Sequence, residues 1–349
     1  MKKALFAILA TVAMVACSND EVVRQAAPEA ISFDTFVEKA TRSVVDPSQT
    51  LAKLQENGKG FGVYGFVTGD TENPNTTTAP IFTNEHVTYS NSEWTYPSTQ
   101  YWIDGATYNF SALAPYDGYN PQNVTATTSG VTLKFNNTDG NIDLLYAQVN
   151  NADRNSAVSF NFRHILSKVK FTFVNAYDAT NTKIQINDIK IANAIHQATV
   201  ALSNNTPVWT AVDFTNLREF NFGAATYDTD GVAEPQTTGT YESYKEFLLI
   251  PFNYQDTNTL AVQKLKITFN YDIVVNGVTI KNVPVSTGIN VNLEPGKAYD
   301  FKATIGHGEA IEFSASVIDW DNDHDGMENT GNGADDNGDN QVETPLPLQ

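Results

Sequence analysis

Cysteine is almost missing from this chain: Cys17 is the one thiol among 349 residues, so no intrachain disulfide can form. Basic residues are also few. Against 40 Asp and Glu stand 21 Lys and Arg, a formal net charge of −19 at pH 7. A chain this acidic repels phosphate groups, which argues against nucleic acid as a partner and against anionic lipid in the same way. Beyond residues 1–16 no apolar run approaches the roughly 20 residues that a bilayer span takes. Helix patterns rich in Leu, Glu, Lys and Ala are scarce, and Pro47 to Leu54 is the one helix candidate. Catalytic signatures are missing as well. There is no Gly-x-Ser-x-Gly elbow, no His-Glu-x-x-His helix and no P-loop, and the five histidines are scattered. The chain reads as a non-enzyme. A glycosidase pair of carboxylates, which needs no fixed spacing, is the one arrangement this test does not reach.

What is present begins at the N-terminus. Lys2 and Lys3 precede Ala4 to Val15, a run of apolar and small residues broken by Thr11. Its length suits a signal-peptide core and is too short to cross a membrane. It ends in Met14-Val15-Ala16-Cys17. Small or apolar residues directly before a cysteine are what a lipoprotein signal peptidase cuts, although Met14 is less usual there than leucine. Residues 1–16 are therefore expected to be removed and Cys17 to carry the lipid. Each buried CH₂ contributes roughly 0.8 kcal/mol, so an acylated cysteine holds a protein on a membrane without a spanning helix. The plainer alternative is an ordinary signal peptide followed by a chance cysteine.

The rest of the chain reads as strands. At 41% hydrophobic and 11% aromatic it has enough apolar surface for packed cores. In 158–164, Val158, Phe160 and Phe162 share one face. In 168–174, Val169, Phe171 and Phe173 oppose Lys168, Lys170 and Thr172. Residues 265–271 and 311–317 alternate in the same way. One apolar and one polar face predict antiparallel sheets with a solvated side, and many such strands between Asn, Asp, Gly and Pro turns predict sandwiches. Asn276-Gly277 predicts a tight hairpin between two strands. At roughly 150 residues per domain the chain has room for two. The expected division is a linker at 17–30, one β-sandwich over 31–150, a second over 151–320, and an acidic tail over 321–349. The boundary is set by the polar stretch 150–155. The tail holds eight acidic residues and no Lys or Arg.

Several stretches together resemble the fimbrillin family, specifically its Mfa-like branch, the pilus-subunit lipoproteins of Bacteroides-type bacteria. They are Trp94-Thr-Tyr-Pro-Ser-Thr-Gln-Tyr-Trp102 with Tyr108 to Tyr116, Asp143-Leu-Leu-Tyr-Ala147, Val158 to Phe173, Phe247-Leu-Leu-Ile-Pro251, Leu293-Glu-Pro-Gly-Lys-Ala-Tyr299 and the closing strand up to Trp320. Ser18-Asn19-Asp20-Glu21 after the cysteine resembles the surface-export signal of such lipoproteins. The resemblance implies an all-β fold of two tandem transthyretin-like antiparallel β-sandwich domains. It also implies a mode of assembly. A trypsin-like protease cuts after an arginine near the N-terminus and removes the first strand, and the groove accepts a strand from a neighbouring subunit. The partners so implied are other fimbrial subunits and that protease, with the membrane engaged only through the lipid. The location implied is the outer membrane before processing and the fimbria afterwards.

The chain offers candidates for each part. Ile31, Phe33 and Val37 share a face in the strand to be displaced. Arg42-Ser43 follows as the cut; Arg24 is the alternative, and a cut there would leave the strand in place. A solvated loop is the plainer reading of Lys39 and Arg42. In stalk subunits of the family the C-terminal region supplies the donor strand. Here the candidate is Val342, Leu346 and Leu348, interrupted by Pro345 and Pro347, each of which lacks a backbone donor. That departure leaves a tip or accessory role open. Asp321, Asp323 and Asp325 before Gly326 match the start of a calcium loop, but Asn332 stands where a bidentate Glu belongs, so a solvated acidic tail is the plainer reading. No other cofactor is expected. Trp94, Tyr96, Tyr101 and Trp102 read as core anchors, and His164 as a structural hydrogen-bonder. The rival function is a surface lipoprotein that holds glycan on tandem β-sandwiches, using those rings as a platform.

Overall fold

This computed structural model describes residues 29–37, 51–70, 78–154, 157–177, 182–211, 214, 216–226, 239–243, 245–254, 264–275, 278–306, 311, 313–320 and 342–345. In chain order its first strands are β1 (Phe33–Val37), β2 (Phe61–Asp70), β3 (Ala79–Ser90), β4 (Glu93–Thr95), β5 (Ala106–Ala114), β6 (Val124–Thr127), β7 (Gly130–Asn136), β8 (Leu145–Ala152) and β9 (Val158–His164). A short helix, α1 (Leu51–Leu54), lies between β1 and β2. There follow β10 (Ser167–Asn175), β11 (Thr182–Ala194), β12 (Gln197–Ser203), β13 (Thr206–Ala211), β14 (Arg218–Gly223), β15 (Ala225–Thr226) and β16 (Gly239–Ser243). The last are β17 (Phe247–Leu249), β18 (Leu265–Val275), β19 (Val278–Ile289), β20 (Lys297–Ile305), β21 (Phe313–Asp319) and β22 (Val342–Pro345). The fold is all-β, as the period-two alternation predicts.

The first sheet runs β1-β9-β8-β5-β2-β3-β4. Phe33 of β1, at one edge, packs its ring 5.5 Å from Phe82 of β3, next to the other edge. Only a strongly curled sheet brings those strands together. Its concave face is a closed core that holds Phe61, Val63, Phe110, Ala112, Phe160 and Phe162, with Leu54 of α1 added. The convex face is also buried. Tyr64, Leu113 and Tyr146 meet a second sheet, β13-β12-β7-β6, through Leu133, Val200 and Leu202. The Tyr146 hydroxyl lies 3.2 Å from the Leu202 carbonyl, within donating distance.

The C-terminal half is a sandwich. One sheet runs β15-β16-β10-β20-β21-β22 with β17 also on β10; the other runs β14-β11-β18-β19. Phe173 of β10 meets Phe269 of β18 at 5.0 Å, and Phe171 meets Phe222 of β14 at 4.8 Å.

Two expectations need correction. Two pairings are parallel, β1 with β9 and β10 with β20, so the sheets are mixed. The polar face of β10 is not solvated: Lys168 and Lys170 are each 7% exposed and Thr172 is 3% exposed. These groups are accommodated by charge and hydrogen bonding. Thr172 Oγ1 donates to Asp300 Oδ2 at 2.7 Å, and Lys170 Nζ is 3.9 Å from the same oxygen. Strand pairing does not change sheets at 150–155. β9 pairs with β8 and β1, and the β12–β13 hairpin adds to β7. The predicted hairpin is formed by β18 and β19, which pair from Val275 and Val278 onward.

Candidate functional site

β1 lies along the seam where the curled sheet closes. On one side it runs parallel to β9, with Phe33 opposite Val158, Thr35 opposite Phe160 and Val37 opposite Phe162. Val158 N–H donates to the Ser32 carbonyl at 2.9 Å. On the other side, the residues leading into β1 pair with the segment after β4. Ile31 N–H donates to Gln100 O at 2.8 Å, Trp102 N–H donates to Glu29 O at 2.9 Å, and Ala30 bridges Tyr101. Residues 29–37 thus link β9 to the segment after β4, which leaves fewer unpaired backbone groups than an open edge.

Side chains reinforce the seam. Ile31, Phe33 and Thr35 are 1%, 5% and 3% exposed and point inward. The Phe33 ring lies 5.4 Å from Tyr96, 5.5 Å from Phe82, 5.7 Å from Phe160 and 6.1 Å from Phe110. Such ring pairs add to the hydrophobic stabilisation of burial. The Tyr96 hydroxyl donates to the Ile31 carbonyl at 2.7 Å and accepts from Gln100 N–H at 3.3 Å. Burial raises the pKa of that hydroxyl, which keeps it a donor. Arg154, on the β8–β9 connection, forms an ion pair with Asp104 and sits 3.7 Å from Glu29. Being largely exposed, these pairs contribute little.

Sequence reading found Ile31 and Phe33 by alternation. It did not count Thr35, because a hydroxyl does not register as an apolar position. The side chain of Val37 lies outside what the structure describes, as do Cys17, Arg24, Arg42, Ser43, Asp321, Asp323, Asp325, Leu346 and Leu348. The Trp94–Trp102 stretch was visible as an aromatic cluster, but its role on the seam depends on a distant strand. Trp102 is buried beside Tyr108, Trp94 packs on Phe61, and Tyr101 is 51% exposed.

The C-terminal candidate has a place of its own. Val342 pairs with Val317 and Pro345 with Ser314, so β22 forms an edge of the sheet that holds β21. The residues 321–341 connect these two paired strands.

Other sequence motifs converge where the two halves meet. Asp143 Oδ2 is 2.8 Å from His164 Nδ1, and both side chains are nearly fully buried. The imidazole stacks on Trp320 with centroids 3.9 Å apart, and Lys168 Nζ stands 5.4 Å from the Trp320 ring. Stretches at 143–147, 158–173 and 311–320 therefore build one junction. Among the described residues no cluster of three His, Cys, Asp or Glu side chains is placed to hold a metal, and no helix is long and apolar enough to cross a membrane.

The fimbrillin-like family model matches residues 41–320. A fimbrial protein from Bacteroides vulgatus is similar in structure, with 22% identity, a TM-score of 0.59, and 83% of this chain and 99% of that one covered. A candidate cell adhesion protein from Bacteroides uniformis has 19% identity and a TM-score of 0.49, with 84% and 99% covered. The fimbrial anchor protein Mfa2 from Porphyromonas gingivalis has 14% identity and a TM-score of 0.35, with 84% and 98% covered. No curated protein matches this chain. The match over most of the chain decides the assignment: this protein belongs to the fimbrillin-like family.

Proposed function

We propose that this chain is a structural subunit of a bacterial fimbria, exported as a lipoprotein on Cys17, cut after Arg42, and assembled by exchanging β1 for a strand of another subunit. Family membership supports the fimbrial role, and a structural rather than enzymatic one. The observation that carries the exchange is the position of β1. It is an edge strand by sheet order, it closes the seam, and residues 38–50, which include Arg42, join it to the rest of the chain.

A cut at Arg42 leaves β1 held by non-covalent contacts alone. Burial of Ile31 and Phe33 contributes about 3–6 kcal/mol, at roughly 1.5–3 kcal/mol per large apolar side chain. Departure of β1 would expose that groove together with the unpaired N–H and C=O groups of β9 and of 100–102. Such a groove is satisfied by an incoming strand through β-augmentation. A cut at Arg24 would leave β1 in place. Before the cut the protein sits on the outer membrane; afterwards it is part of the fimbria and serves adhesion.

The test is limited digestion of the purified full chain with a trypsin-like protease, followed by electrophoresis in SDS without heating. With a trypsin-like protease that cuts after arginine only, multimers should form once the bond after Arg42 is cut, and Arg42→Ala should prevent both that cut and the multimers. Multimers from the uncut Arg42→Ala chain would remove the cleavage step from the mechanism.

A further inference from the structure

We propose that the slot occupied by β1 selects its strand through an aromatic pocket, and that its occupant in the assembled state carries a ring at the position of Phe33, which residues 321–349 of a second copy do not supply. This rests on the strand-exchange reading above.

Three inward positions define what the slot takes: Ile31, Phe33 and Thr35. The middle one sits in a cage of rings. Phe82, Phe110 and Phe160 come from β3, β5 and β9, and Tyr96 from the segment after β4. These rings also pack on one another. Phe82 meets Tyr96 at 5.3 Å and Phe110 at 6.1 Å, and Phe160 meets Phe61 at 5.8 Å and Phe162 at 6.0 Å. The cage is therefore built by residues that stay behind when β1 leaves. A ring at the middle position fills it. An aliphatic side chain leaves a void among rings that are braced against collapse, and a void of that kind weakens the interaction steeply. The third position holds Thr35, so it accepts a small side chain. The pattern demanded is aliphatic, then aromatic, then small, at every second residue of an extended strand.

The C-terminal segment of this chain does not meet that demand. Residues 321–349 contain no Phe, Tyr or Trp. Its alternating set is Val342, Thr344, Leu346 and Leu348, and Pro345 and Pro347 remove two backbone donors. A second observation is independent of side-chain size. Val342 to Pro345 already pair with β21, so use as a donor would first require detaching β22 from its own sheet. Both facts argue against residues 342–349 as the donor and for a strand with an aromatic ring at the position of Phe33.

The test uses the full chain cut with a trypsin-like protease and three fluorescent synthetic peptides offered in excess: residues 29–40, the same peptide with F33L, and residues 339–349. Mass spectrometry reports whether the native N-terminal piece leaves the body, and fluorescence anisotropy reports what replaces it. The expected result is exchange of the first peptide, binding weaker by about tenfold or more for F33L, and no measurable binding of 339–349. If F33L or 339–349 binds as tightly as the first peptide, the aromatic selection is wrong and strand exchange still stands. If the native piece stays bound and no peptide enters, the exchange reading itself falls and takes this inference with it.

Discussion

The Phe33 ring touches four others, drawn from three strands and the segment after β4. Its removal in the uncut chain leaves a cavity that the sheet cannot close without moving several rings. Phe33→Ala is expected to lower stability by about 3–5 kcal/mol, measured by denaturant unfolding with an unchanged slope. Tyr96→Phe keeps the ring and deletes the hydroxyl's bonds to the Ile31 carbonyl and from Gln100 N–H, so it should cost about 1–2 kcal/mol. Equal losses in the two variants would mean that the hydroxyl, not the ring cage, holds β1. Gly60 is a different kind of constraint. Its φ is +112°, and a Cβ there would run into the Val87 carbonyl oxygen of β3. Gly60→Ala should therefore destabilise the first sheet by more than the usual cost of placing alanine at a positive φ. At this scale Ile31 and Phe33 were legible because apolar residues alternate, and Thr35 was not. The cage around Phe33 was not, since its rings come from residues 82, 96, 110 and 160 and no local pattern links them.

β9 shows how far an element can be read. Its alternation of Val158, Phe160 and Phe162 gave the buried face correctly, with all three at 2% exposure or less. Its partners were not readable, because a polar stretch such as 150–155 looks the same as a hairpin connection or as a domain linker. The pairing of β9 with both β8 and β1 has a consequence for dissection. A fragment ending at Asn150 lacks the strand that connects β1 to the sheet, and it also lacks the β12–β13 hairpin that covers the convex face. Such a fragment should show no cooperative thermal transition by circular dichroism. A sharp transition would mean that β8 and β5 suffice for the first core. β10 illustrates the opposite error. Its apolar face was read correctly, but Lys168, Lys170 and Thr172 looked like a wet surface and are buried, because Asp300 of β20 partners Lys170 and Thr172 while Glu246 and the Trp320 ring lie beside Lys168.

Across the whole molecule, the core that begins at Tyr64 continues without interruption to Trp320, so the convex side of the first sheet and the C-terminal sandwich share one apolar interior. Several tyrosines are enclosed in it, and they set an alkaline limit. Burial pushes Tyr146 and Tyr299 up to about 12, and raises Tyr64, Tyr119 and Tyr254 as well. In the unfolded chain these groups ionise near 10.0. The folded state therefore prefers the neutral hydroxyl. This preference keeps its full value below pH 10 and is lost as pH rises through about 12. Melting temperature should hold level up to pH 10 and fall above it, with tyrosinate absorbance rising together with unfolding. Ionisation of all tyrosines well before unfolding would contradict their burial. The all-β class was legible from composition and alternation. The curl of the first sheet was not, because it is a property of which edges meet.

With that curl, a cut at Arg42 as proposed would do more than shorten the chain. Cys17 and β1 lie on the same side of it along the chain, and the remaining strands lie on the other. One hydrolysed peptide bond at that point would discard the tether and the stopper together. Under the proposed mechanism a molecule still fastened to its membrane would stay sealed against its neighbours, and one set loose would already be open to them. On the proposed processing, the order of segments alone would avoid both premature clumping in transit and idle release without a binding groove.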